Sequence, residues 1–174
     1  MLAKIIHTIE KITQGSGVFA AYLVLPLVLF TVYEVFARYA LNSPTIWAYE
    51  LGTMITGAYF ALGMAYTLKE KAHVRIDVFY NNFSRKTRST ISVIGYIVLF
   101  LPIIFWLTFA LWGYALESLI SGETSGQSAW NPPVWPIRVF IAYGFTVMAL
   151  QAVAEFIKHA SVVLNKPLPE YQEA

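Results

Sequence analysis

The chain has 174 residues, of which 57% are hydrophobic, 16% aromatic and 13% charged, with a mean hydropathy of +0.58. A soluble domain carries nearer a quarter charged residues, so this composition points to lipid as the solvent, with room for one domain of about four spans. A net charge of +2 is too small to suggest nucleic-acid binding, and with no cysteine there is no disulfide, thiolate nucleophile or Cys-ligated metal.

The opening segment LAKIIHTIEKI sets Ile5, Ile9 and Ile12 on one side and predicts a short interfacial helix over 2–13. The first span runs from about 17 to 39. It is too long and too late for a signal-peptide core, no A-x-A site follows it, and it is read as retained. Pro26 lies inside it, where lipid tolerates a kink. Asn42, Ser43 and Pro44 make a tight turn, and a second span follows over about 45–68. Its Gly52, Gly57, Ala61 and Gly63 offer small surfaces for close helix packing, Gly57 and Ala61 at the small-xxx-small spacing. Residues 69–88 are too polar to cross; Val74, Val78, Phe79 and Phe83 at helical spacing predict a basic interfacial helix near 72–86 lying against membrane lipids. The third span, about 89–118, is longer than one straight crossing needs, and Gly95, Pro102 and Gly113 are its candidate bends. A turn-rich loop, SGETSGQSAWNPPVWP, leads into the fourth span over about 136–159, and the residues beyond it read as a tail.

Basic residues orient these spans. Of the twelve Lys and Arg, all but Arg38 and Arg138 fall before the first span, between the second and third, or at the end of the fourth. By the positive-inside rule both termini and the 69–88 segment face the cytoplasm. The expectation is an all-α integral membrane protein, one domain of four transmembrane helices with both termini cytoplasmic.

Several polar residues sit at span ends. Glu34 and Arg38 are one turn apart, and Glu50 enters the second span just after the turn, so Arg38 is expected to bridge Glu34 or Glu50 as a structural ion pair. A proton- or cation-carrying role for either acid is the competing reading; the nearby cation and the position close to a span end favour structure. His73, Arg75 and Asp77 form an H-x-R-x-D string with too few ligands for a metal, and read as a capping loop. Glu155, one turn from Lys158 and His159, reads as a paired or snorkelling surface group. No catalytic motif, haem-ligating His pair, P-loop or midplane acid is present, so the chain is not expected to be an enzyme, to hold a cofactor or to move a solute by itself.

Two segments then become informative together: EVFARYALNSPTIWAYELG, and GMAYTLKEKAHVRIDVFY at the cytoplasmic end of the second span. They resemble the small membrane subunit, the DctQ family, of tripartite ATP-independent periplasmic (TRAP) transporters. The matching positions are Arg38, Tyr39, Asn42, Pro44, Trp47, Glu50 and Leu51, then Gly63, Ala65, Leu68, His73 and Asp77. The resemblance implies a scaffold in the bacterial inner membrane that holds a large multi-span subunit. That partner would carry the substrate and sodium sites, and a periplasmic substrate-binding protein would deliver an organic acid taken up on an ion gradient. Asn42, Trp47, Glu123 and Trp130, on the outward turn and loop, are candidate contacts for the delivery protein. The alternatives are an autonomous four-helix proton-coupled exporter and the membrane anchor of a respiratory complex.

Overall fold

The computed structural model describes residues 2–70 and 83–165. Within them the chain forms α1 (Leu2–Ala40), α2 (Ala48–Lys69), α3 (Arg85–Gly95), a π-helical turn (Tyr96–Phe100), α4 (Leu101–Ser121) and α5 (Trp135–Val163). Because α3, the π turn and α4 run on without a break, four helical rods result, each long and apolar enough to cross a bilayer. The chain is an all-α integral membrane protein.

The sequence explains the breaks. Asn42, at φ 50°, adopts the left-handed conformation that ends α1, and the Ser43 amide donates back to the Ala37 carbonyl at 3.0 Å. Gly122, at φ 65°, does the same after α4. Ser84 caps α3, its hydroxyl accepting from the Thr87 amide at 3.2 Å. Between Gly95 and Pro102 the ladder loosens by one residue, the Leu101 amide donating to the Tyr96 carbonyl. Proline has no N–H to carry an α-ladder onward, so the anomaly sits beside it. Pro26, in contrast, is accommodated inside a continuous α1.

The interfacial helix expected over 2–13 is not a separate element; it is the first third of α1. Ile6 and Ile9 turn inward against Ala154 and Ile157, whereas Ile5 and Ile12 stay exposed. Of the helix expected near 72–86, residues 72–82 lie outside the described residues, and so do His73, Arg75 and Asp77; Arg85 and Lys86 begin α3 instead.

The rods stand in a row rather than a closed bundle. α1 packs on α2, α2 on α5, and α5 on α4, with a further α1–α5 contact at the end where the chain begins. Small residues make the central contacts close. A Cβ added to Gly144 on α5 would stand 2.4 Å from the Ala61 carbonyl oxygen on α2, and one added to Gly17 on α1 would stand 2.7 Å from Tyr66. Gly57 faces Ile137 and Gly52 faces Leu27, whereas Gly63 has open space beside it within this chain. The two edges of the row are bare: 6% of the most apolar window is buried in α1 and in the α3–α4 rod, against 28% in α2 and 39% in α5.

Candidate functional site

Polar chemistry gathers at the two ends of the row. At the end holding the α1–α2 turn and the α4–α5 loop, Glu34 accepts from Arg38 Nε at 3.0 Å and Nη2 at 2.5 Å. Its other oxygen accepts from the Thr45 amide at 2.9 Å and from the Thr45 hydroxyl. One carboxylate therefore ties the last turn of α1 to the chain entering α2. Trp47 reinforces this corner by packing edge-on to Phe30 and face-on to Tyr33, with ring centroids 5.6 and 6.1 Å apart.

Arg38 thus pairs with Glu34, one of the two acids expected for it, and Glu50 does not join that pair. The first turn of α2 points it toward the α4–α5 loop, where Oε2 accepts from Ser125 Oγ at 2.7 Å. The residue is 2% exposed, and its Oε1 has no hydrogen-bond partner among the described residues. Sequence proximity to Arg38 was misleading because each side chain is held by a different partner, Arg38 by Glu34 and Glu50 by Ser125. Beside Glu50, Glu123 and Arg138 form a bidentate pair at 2.5 and 2.6 Å, and the guanidinium also lies over the Tyr114 ring, 3.6 Å from its centroid. Glu50, Ser125 and Arg138 line a pocket of about 340 Å³.

On the other side of the α2–α5 contact lies an apolar groove of about 340 Å³ lined by residues including Leu23, Leu51, Phe140 and Trp130. Of the four candidate contact residues, Asn42 is exposed in the turn, Trp47 and Glu123 have intramolecular partners, and Trp130 borders this groove.

The opposite end of the row holds a network that sequence reasoning missed. Lys158 donates to Glu10 at 2.5 Å and to Glu155 at 2.6 Å; Gln151 donates to Glu155 at 3.1 Å, and Thr13 donates to Gln151 at 2.9 Å. Thr13, Gln151, Glu155 and Lys158 are all buried. Glu155 is paired, as expected, but inside the protein and not on its surface. The signal was available: Gln151, Glu155 and Lys158 share one face of α5, with Glu10 and Thr13 at matching spacing on α1. The network also places the start of α1 and the last turns of α5 on one side of the row. Among the described residues no group of His, Asp and Glu could hold a metal ion.

These features define a multi-pass helical membrane protein whose ionised groups are confined to its two ends. The chain belongs to the DctQ component family of tripartite ATP-independent periplasmic transporters, whose family model matches residues 27–161. It is similar to the sialic acid TRAP transporter small permease protein SiaQ of Vibrio cholerae serotype O1, 31% identical over 88 residues. That match covers 51% of this chain and 47% of the relative, so the chain spans about half the length of the relative it matches. It is a multi-pass protein of the bacterial inner membrane.

Proposed function

We propose that this subunit is the fixed scaffold of its transporter, holding a large multi-span membrane subunit that carries substrate and coupling ion. The observation that carries the reading is the pair of bare edges: α1 and the α3–α4 rod bury 6% of their most apolar windows, although this chain already packs α2 and α5 closely between them. Both flanks are apolar and carry little packing of their own, which leaves them open to a neighbouring helical subunit as well as to lipid. The resemblance to DctQ subunits supports a sodium-type gradient acting in the large partner, with a periplasmic binding protein delivering the cargo. The similar subunit is named for sialic acid, a carboxylated sugar, which supports an organic acid as the transported class.

The test is purification and reconstitution. Extracted gently from its native membrane, the tagged chain is expected to bring a large hydrophobic subunit with it. In sealed liposomes the chain alone should pass no carboxylate. Adding the large subunit, the binding protein and an inward sodium gradient should produce uptake. Flux through the chain alone would refute the scaffold reading and favour the autonomous exporter. Recovery of the chain without a large companion would also count against it.

A further inference from the structure

At the loop end of the row, one buried carboxyl group has no basic side chain paired with it among the described residues. Glu50 is 2% exposed, with Ser125 on one carboxylate oxygen and no donor on the other among the described residues. A buried carboxylate is costly unless donors or a cation complete it. The arginines at this end, Arg38 and Arg138, are engaged elsewhere, Arg38 with Glu34 and Arg138 with Glu123 and Tyr114. The pocket of about 340 Å³ that Glu50 borders has walls of two kinds: a polar one from the Glu123–Arg138 ion pair and the hydroxyl and amide groups of Ser125 and Gln127, and an apolar one from Met54 and Ile137; because Arg138 is matched by Glu123, the Glu50 carboxyl is the one acid of the lining without a basic partner.

We propose that this pocket is a socket for a lysine or arginine side chain of the water-soluble protein that docks on the outer face. The inference rests on the reading of this chain as a subunit served by a periplasmic binding protein. A cationic side chain matches both kinds of wall: its N–H donors suit the carboxylate and the neighbouring oxygens, and its aliphatic stem suits Met54 and Ile137. A bare metal ion fits less well, because it needs a tight shell of oxygens, and this cavity is wide and partly apolar. Approach from the aqueous side follows from charge, since a cation arriving through hydrocarbon would bear the desolvation cost of the bilayer. The loop that contributes Ser125 and Gln127 lies on the outward side by the distribution of basic residues. Oε1 is enclosed by its surroundings, so seating the head group on it requires the carboxylate to turn toward the pocket.

The experiment uses the complex of this chain with its large subunit in nanodiscs and the binding protein of the same transporter as the probe. Glu50→Gln is expected to weaken binding by about tenfold or more and to flatten its salt dependence, while co-purification of the large subunit is unchanged. Gln127→Trp, which narrows the pocket mouth and leaves the charge in place, should weaken binding similarly. One Lys→Ala or Arg→Ala change on the binding protein should then cost nothing further in the Glu50→Gln background. Wild-type affinity in both variants would overturn the socket while leaving the scaffold reading intact. A thermal shift with sodium chloride over choline chloride that vanishes in Glu50→Gln would overturn it in favour of a metal ion. Failure of the wild-type complex to bind the protein at all would remove the underlying functional reading as well.

Discussion

Glycines that look alike in the sequence differ sharply in what surrounds them. Gly144 lies against the Ala61 carbonyl, where a Cβ would approach to 2.4 Å, and backbone cannot swing aside as a side chain can. Gly144→Ala is therefore expected to push α2 and α5 apart and lower stability by about 1–3 kcal/mol. Gly63→Ala, with nothing within 4 Å, should leave the thermal midpoint in detergent unchanged or slightly raised. Equal effects of the two changes would contradict the α2–α5 register. The small residues of α2 were legible as a packing face, and Gly57 and Ala61 do meet α5. Gly144 was not, because its importance depends on which turn of α2 it lands beside, and a helical period cannot encode that. Glu50 failed to meet Arg38 for a related reason: spacing fixes neighbours within a helix but not across a turn.

Among the helices, α1 shows how length changes meaning. Its 39 residues extend about 58 Å at the usual rise, well beyond the hydrocarbon thickness. The surplus at its start becomes one side of the polar network with α5. Lys158→Ala would leave Glu155 and Glu10 without their shared cation and is expected to cost about 3–5 kcal/mol, read as a lower thermal midpoint of the purified protein. The paired change Glu155→Gln with Lys158→Met should recover much of that loss. No recovery would mean that the network contributes more than charge balance. The π-helical turn between Gly95 and Pro102 falls where helix breakers were expected to bend the third span. The buried network was overlooked because each of its residues, taken singly, resembles an ordinary polar group at a span end.

For the whole molecule, orientation can be measured directly, since the chain contains no cysteine to confuse labelling. Ala129→Cys in the α4–α5 loop is expected to react with an impermeant maleimide in intact spheroplasts, whereas Lys4→Cys should react only after lysis. The reverse pattern would overturn the assignment from basic residues. Four spans and their order were legible because apolar runs of this length have few other uses. Their arrangement as a row was not, because the same four apolar stretches could equally have closed into a bundle.

That row also gives the molecule an elongated outline when viewed down the membrane normal. An object longer than it is wide in a two-dimensional fluid has a direction as well as a position, and it spins more slowly than a compact peg of equal mass. A neighbour seated on either bare edge would therefore share that heading in the membrane plane, and any force on the pair would be spread over many lipids.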